Sequence, residues 1–554
     1  MVEYHLLGFD CFGYGRLGSF HFLAVLIVPH LANCPSFHPI VTLALYVDKA
    51  GLFQAEMGDS SLHIFGQTIP MGTAIALFAA LGLALSFEFV NGFHDTANAV
   101  ATVIYTHTLK PVYAVVWSGA WNLIGVLMST GLVAYSIVSL LPVELVLNVG
   151  SGAGFAMVFS LLISAIIWNL GTWYLGLPAS SSHTLVGSIM GVGLANSLLA
   201  GHVFGEGVNW AKAREVFTSL LVSPLVGFFG AALLLLLLKA LVKAPELYKS
   251  PEGQPPPWWI RLILMGTCTG VSFYHGSNDG QKGMGLIVLI LVGILPGAFA
   301  LNPDVKSENI HQIVMQANQL DSILQKHSTD VLTTQDATDE LSAYLKTNGK
   351  ASDKTWAALT GRSREVAIEL DGKNNFEDLT IDQRKGFRSD IYLLGETIAK
   401  LNKQHKISDP AEAKALTTYQ SSLQAQTKYI PIWVKFAVAL ALGLGTMIGW
   451  KRIVVTVGEK IGKEHLTYAQ GASAELVAMI TIALADNYGM PVSTTHVLSS
   501  GVAGTMFANK SGLQADTLRN ILLAWVLTLP VCVILGAGIF SGCLYLLLHV
   551  FGMR

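Results

Sequence analysis

Charge is what this chain has least of. Only 13% of its 554 residues are Asp, Glu, Lys or Arg, while 52% are hydrophobic, and the formal net charge is -2. A soluble domain carries about a quarter charged residues, so composition sets this chain apart from ordinary globular proteins. Without a basic excess, nucleic acid finds no electrostatic footprint. Cysteine is scarce too. Cys11, Cys34, Cys268, Cys532 and Cys543 lie far apart and offer neither a disulfide framework nor zinc-ligand spacing. Neither a Gly-x-Ser-x-Gly elbow nor a Walker loop occurs, which argues against a serine hydrolase and against ATP-driven transport within this chain.

What the chain does hold is long apolar runs. A bilayer-spanning helix needs about 20 residues. Runs of that kind predict spans near 72–105, 112–135, 154–175, 185–200 and 216–242, then near 259–301, 431–450, 467–488, 497–509 and 519–548. The 185–200 and 497–509 elements are short, and each is expected to continue out of a hairpin. From 302 to 428 the character changes. Those 127 residues carry 34 of the 70 charged side chains and no long apolar run, and the helical spacing of Glu308–Met315 and Tyr392–Ile398 predicts a small soluble helical insertion. The stretch 243–258, with Lys243, Lys249 and Pro255–Pro257, reads as a cytoplasmic linker. The expected organisation is an N-terminal extension (1–70), a first membrane repeat (71–242), the linker (243–258), the start of a second repeat (259–301), the insertion (302–428) and the rest of the second repeat (429–554).

Two devices occur twice. Asn91-Gly92-Phe93-His94-Asp95-Thr96-Ala97-Asn98-Ala99 places an aspartate inside the first span, and His275-Gly276-Ser277-Asn278-Asp279-Gly280-Gln281-Lys282-Gly283 does the same in the sixth. Both helices are expected to break there. Pro178-Ala179-Ser180-Ser181-Ser182-His183-Thr184 and Pro491-Val492-Ser493-Thr494-Thr495-His496 are proline-led hydroxyl clusters ending near histidine, read as re-entrant hairpins. Ionisable groups within a bilayer are expensive and mark ion or substrate paths. A duplicated, interrupted pair of segments points to a secondary transporter.

The duplication survives arithmetic. Asp95 and Asp279 are 184 positions apart and His183 and His496 are 313 apart; the difference nearly equals the insertion. Short cytoplasmic loops collect Lys and Arg. The basic connections 107–111, 239–261, 451–463 and 510–519 fall on one side only if the two halves have opposite orientation. That arrangement puts 302–428 outside the cytoplasm. The fold expected is an all-α polytopic membrane protein built as an inverted repeat.

These four motifs, in this order, resemble the signatures of the PiT family of inorganic phosphate transporters, with the bacterial low-affinity branch as the nearest match. The resemblance covers roughly residue 57 to the end. It implies phosphate symport, a bacterial inner-membrane location and a homodimer. The more common first motif of the family is Gly-Ala-Asn-Asp. Here Phe93-His94 precede Asp95, a variation shared by the bacterial branch, which puts a sodium site there in doubt and favours a proton as the coupled ion.

The residues support an anion site independently. Hydroxyls and helix-start N–H groups replace an anion's hydration shell, and Ser181, Ser182, Thr184, Ser493, Thr494 and Thr495 offer six hydroxyls from two faces. Asn98, Asn278, Gln281 and Lys282 complete the expected substrate-binding set. Asp95 and Asp279 would repel an anion unless a proton, a sodium ion or a divalent metal such as magnesium travels with it. They are the expected coupling groups, joined by Glu88 and Glu475, and no fixed metal or cofactor is expected. Lys282, three residues after Asp279, can neutralise it locally. His183 and His496 read either as proton relays or as ring hydrogen-bonding caps of their hairpins. A passive anion channel and an intramembrane hydrolase are the competing classes. Residues 1–56 have no counterpart in the repeat, and Met57-Gly58-Asp59-Ser60-Ser61 looks like the polar lead of bacterial relatives, so translation is expected to begin at Met57.

Overall fold

The computed structural model describes residues 53–54, 61–141, 150–199, 201, 205, 207–251, 253, 255–328, 330–332, 334–345 and 350–547, with the side chains of 53–54, 96–98, 211 and 334 left out. The expected start at Met57 falls outside the described residues. Residues up to Met71 form one unit and Gly72–Arg554 another. The first contains a three-stranded antiparallel sheet, β1 (Phe53–Gln54), β2 (Ser61–Ile64) and β3 (Gln67–Pro70). The all-α expectation is therefore corrected here: alternating burial along Gln67–Pro70 and a turn at Phe65-Gly66, both at positive φ, make a hairpin.

The rest is helical. The first half runs α1 (Met71–Tyr105), α2 (Pro111–Met128), α3 (Leu132–Val138), α4 (Gly152–Tyr174), α5 (Ser181–Leu199) and α6 (Trp210–Leu241); α7 (Trp258–Ile294) follows. The insertion holds α8 (Ser307–Leu324), α9 (Thr334–Leu345), α10 (Asp353–Leu370), α11 (Ile381–Lys403) and α12 (Pro410–Ala425). The chain then makes α13 (Ile432–Ile448), α14 (Lys451–Glu459), α15 (Tyr468–Asn487), α16 (Thr494–Asn509) and α17 (Ala515–Tyr545). Six of these helices are long and apolar enough to cross a membrane, or seven if α13 and α14, bent by 63°, count as one span. The basic stretch expected to be a plain connection at 451–463 thus contains a helix. The span expected over 112–135 ends at Met128, and the chain restarts at Leu132 after Gly131 at φ 87°.

The aspartate-motif helices are not broken. α1 is continuous for 35 residues and α7 for 37, about 50 Å each at 1.5 Å per residue. The motif glycines serve close approach instead of unwinding. A Cβ on Gly92 would lie 2.6 Å from the Leu442 carbonyl oxygen of α13, and one on Gly276 would lie 2.1 Å from that of Asn122 in α2. The crossing is reciprocal: Gly445 meets Phe89 O at 2.0 Å and Gly125 meets Phe273 O at 2.0 Å. Phe89 and Phe273 are again 184 positions apart. The same pairing recurs between α16 and α6, where Gly504 meets Phe228 O at 2.1 Å, and between α5 and α17, where Gly191 meets Val533 O at 2.1 Å.

Both hydroxyl clusters lie at helix starts. Gly176 and Gly489, at φ 69° and 64°, end α4 and α15, and the prolines Pro178 and Pro491 prevent the helix from continuing. α5 and α16, of 19 and 16 residues, are about 28 and 24 Å long. The insertion has its own core, including Ile313, Leu320, Phe387, Leu394 and Tyr419. It is tied to the end of α7 by Arg384 donating to Gly297 O (2.5 Å) and Arg388 donating to Ala300 O (2.7 Å). The C-terminal end of α1 and the N-terminal end of α7 share the opposite end of the bundle, in one cluster holding Val103, Ile260, Val457 and Ile461.

Because the facing atoms at the crossings are backbone, they cannot rotate away. Gly125→Val, Gly191→Val and Gly445→Val should each cost ~1–3 kcal/mol or more, read as a lower melting temperature of the detergent-purified protein. Gly82→Ala, with no atom within 4 Å of its added Cβ, should leave it unchanged or slightly raised.

Candidate functional site

Asp95, His275, Asp279 and Lys282 are all buried, none more than 2% exposed. Charges so placed persist only when paired, and these pair with one another. His275 Nε2 stands 3.2 Å from Asp95 Oδ2 and 3.7 Å from Asp279 Oδ2. Lys282 Nζ stands 2.7 Å from Asp279 Oδ2, the helical step expected from the sequence. Asn122 on α2 fixes the ring of His275: its amide nitrogen donates to Ser118 O at 3.0 Å, leaving Oδ1 to face His275 Nδ1 at 2.5 Å. Nδ1 is therefore the donor to Asn122. Nε2, held between two carboxylates, is favourable there only if it too carries a proton.

Each hairpin serves the aspartate of the other half. Ser181, at the start of α5, donates to Asp279 Oδ2 at 3.3 Å and lies 3.5 Å from Lys282 Nζ. Thr494 and Thr495, at the start of α16, donate to Asp95 Oδ1 at 3.0 and 2.6 Å. The two hairpins touch through Ser182, which donates to Val492 O at 3.0 Å. Two helix N-termini therefore converge on one cluster, the arrangement in which backbone dipoles favour an anion.

Other expected residues are placed differently. Thr184 donates to Asn169 Oδ1 (3.1 Å) and Ser180 O (2.9 Å), and Ser493 accepts from His496 N (3.2 Å); both hold their hairpins instead of facing the cluster. Asn278 donates to Met490 O at 3.2 Å. Gln281 donates to Asp486 Oδ1 at 2.7 Å and accepts from Val133 N at 2.8 Å. Glu88 packs against Gly283 of α7 and accepts from Asn91 at 3.5 Å. Glu475 lies apart from the cluster, accepting from Thr267 at 2.5 Å. The side chain of Asn98 lies outside the described residues. The hairpin caps are the hydroxyls of Ser180 and Ser493, which accept from His183 N and His496 N, so the expected ring hydrogen-bonding caps are corrected. The histidine rings instead face each other with centroids 4.8 Å apart, and Trp525 stacks on His496 at 4.0 Å.

Asp95, His275 and Asp279 offer ligand atoms within 4.8 Å of one another, and the ammonium of Lys282 stands beside them on Asp279 Oδ2, the oxygen that also faces His275 and Ser181. The set reads as an internally paired charge cluster. Three participants were not selected from the sequence: His275, Asn122 and Asp486. His275 was visible as the residue one helical turn before Asp279. Asn122 and Asp486 lie in other spans, where a single sequence carries no signal of their proximity.

A profile described as the phosphate transporter family matches residues 91–536. The low-affinity inorganic phosphate transporter PitA of Escherichia coli is 42% identical over 495 residues, covering 86% of this chain and 98% of that protein. PitB of the same organism is 43% identical over 487 residues, covering 84% and 96%. A probable low-affinity inorganic phosphate transporter of Bacillus subtilis is 28% identical over 455 residues, covering 82% and 93%. A solved structure described as the sodium-dependent phosphate transporter aligns with TM-score 0.47 and 21% identity, over 84% of this chain and 98% of that one. The family is one of transporters and not an enzyme class, the sequence resemblance stands, and this chain belongs to the phosphate transporter family.

Proposed function

We propose that this chain imports inorganic phosphate across the bacterial inner membrane by proton symport, working by alternating access as a homodimer. The observation that carries the proton reading is His275 between Asp95 and Asp279. Two carboxylates are balanced there by two built-in cations, His275 and Lys282, and one of those cations can lose its charge by giving up a proton. A sodium ion would have to enter beside a lysine ammonium already 2.7 Å from Asp279. Phosphate approaching the starts of α5 and α16 meets the hydroxyls of Ser181, Thr494 and Thr495 and the ammonium of Lys282. These donors can turn from carboxylate to phosphate oxygen once a proton relieves the aspartates. The metal-free anion is the simpler cargo; a neutral magnesium–phosphate complex is the alternative that added magnesium separates.

The two halves, on this reading, are inverted repeats, supported by the reciprocal glycine crossings, in which Phe89 and Gly92 of α1 match Phe273 and Gly276 of α7 at one offset, and by the antiparallel ends of α1 and α7. The short α5 and α16 are re-entrant arms meeting near the midplane, and rocking one half against the other exchanges which face reaches the cluster.

Purified protein in liposomes should accumulate phosphate when a proton gradient is imposed and ignore a sodium gradient, with and without magnesium. Accumulation that follows sodium alone overturns the proton reading, and flux that collapses to equilibration under every gradient means a channel. Asp95→Asn and Asp279→Asn should each lower accumulation by at least about tenfold, the effect of losing one charged hydrogen bond of about 1.5 kcal/mol, with normal membrane insertion; wild-type uptake in both removes the aspartates from the mechanism. Replacing 302–428 by a short polar linker should leave the maximal uptake rate intact, since closing a shorter loop costs little. Loss of uptake in a correctly inserted deletion variant would make the insertion part of the gate.

A further inference from the structure

The aspartates of the cluster are committed to threonines, serine, histidine and lysine. A third carboxylate, Asp486 near the end of α15, is held differently. It is 7% exposed and accepts from Ser277 Oγ at 2.6 Å and from Gln281 Nε2 at 2.7 Å. Both donors belong to the α7 motif and flank Asp279 in sequence. The Ser277 hydroxyl can rotate to another acceptor at small cost, whereas the Gln281 amide is fixed by Val133 N on its oxygen and by a second bond from Nε2 to Ser277 O at 2.7 Å.

The matching place in the first half is apolar. At the offsets that relate the motifs, Ser277 corresponds to Phe93 and Asp486 to Trp173. Phe93 and Trp173 are in ring contact at 5.1 Å, Trp173 donates to Gly449 O at 2.7 Å, and Arg452 lies 5.3 Å above its ring. The matched positions thus hold two rings in the first half and a carboxylate with one movable donor in the second. The carboxylate end faces the insertion. Gly489 packs on Leu132, and a cleft of about 690 Å³ there is lined by Ala485, Met490 and Val492 and by the cationic Arg214 and Lys403. Glu215, also lining it, is paired with Lys212 at 2.8 Å. A cationic mouth raises the local concentration of anions of either kind, so attraction alone cannot tell phosphate from sulfate.

We propose that Asp486 is the specificity-determining residue for phosphate over sulfate, standing where the substrate enters. This rests on the phosphate-transporter reading. At neutral pH inorganic phosphate keeps at least one P–OH and sulfate keeps none. An arriving phosphate donates its hydroxyl to the Asp486 carboxylate while the Ser277 hydroxyl turns to donate to another of its oxygens and Gln281 keeps its place on Asp486. Sulfate presents only acceptors, so its oxygen faces a carboxylate oxygen with no proton between them, and Asp486 Oδ2 loses its Ser277 bond without a replacement. Sites built around one buried hydrogen bond reject the analogue that cannot make it far more strongly than shape alone allows. Because the first-half counterpart is Phe93 and Trp173, the check operates at one face only.

The test uses the full chain in liposomes and measures phosphate KM together with the inhibition constant of sulfate. Asp486→Asn keeps the contact in neutral form, since its carbonyl accepts from Gln281 and its amide donates to Ser277 Oγ, yet its carbonyl cannot distinguish the two anions by charge. The ratio of sulfate inhibition constant to phosphate KM should fall by about tenfold or more in Asp486→Asn, and Asp486→Glu should restore most of it. An unchanged ratio in Asp486→Asn overturns the proposal. Should Asp486→Asn fail to transport, binding of labelled phosphate by the purified variant replaces uptake: displacement by sulfate in the variant but not in the unaltered protein supports the proposal, and equal resistance in both overturns it. Failure of the unaltered protein to take up phosphate strikes the transporter reading itself, a result separate from any change in the ratio.

Discussion

Two aspartates cannot sit unpaired in the middle of a helical bundle, and most of what surrounds the site follows from that. An ion taken from water into a low-dielectric interior loses several kcal/mol even after relaxation. The chain offsets this by bringing to each aspartate a helix start from the opposite half: Thr494 and Thr495 to Asp95, Ser181 to Asp279. Those hairpins reach the cluster because α4 and α15 end at left-handed glycines and α5 and α16 restart immediately after a proline and two residues. The demand for partners thus interlocks the halves. Each aspartate takes hydroxyl donors from the opposite half, so neither half completes the site alone.

Close approach is the second requirement. Donors on short Ser and Thr side chains reach about one hydrogen-bond length, so the backbones carrying them must pass nearly in contact. Gly92, Gly125, Gly276 and Gly445 make that possible around the aspartate helices, and Gly191 and Gly504 do so behind the hairpins. In lipid there is little hydrophobic gain from helix association, and small residues that admit close packing supply it. The same glycines explain why α1 and α7 stay helical through their motifs. An interrupted helix needs outside partners for its freed backbone groups, whereas here the side chains find partners and the backbone keeps its own.

The repeated motifs, the charged stretch 302–428 and the two motif aspartates are matters of composition or spacing along the chain, and so are legible without a structure. The lysine at i+3 from Asp279 was legible for the same reason: it is local. Continuity of the motif helices was not, since glycine beside a charged residue reads equally as a break or as a crossing point, and only the presence of Leu442 and Asn122 opposite decides. The roles of Ser182, Thr184 and Ser493 were not separable from those of Ser181, Thr494 and Thr495 by residue type. Their directions depend on where each falls in the first helical turn. Asn122 and Asp486 carry no local signal at all; each becomes a site neighbour only when a span far along the chain packs against α7.

The two halves differ most in where their positive charge resides, and this bears on how a proton can drive motion. At matched positions α7 has His275 and Lys282 where α1 has Asn91 and Asn98. Asp279 therefore carries a counter-charge on its own helix, and that pair moves as one body. Asp95 does not: its cation is His275, across the interface between the halves at 3.2 Å. Any rocking that displaces α7 from α1 leaves the Asp279–Lys282 pair intact and strips Asp95 of its partner. With Asp95 ionised, that motion exposes an uncompensated buried charge and costs several kcal/mol. With the proton of His275 passed to Asp95 before separation, both groups part as neutral species and the cost disappears. Under the proton-coupled reading proposed above, movement of the halves is conditional on one proton being at this interface, and that condition separates coupled transport from a leak.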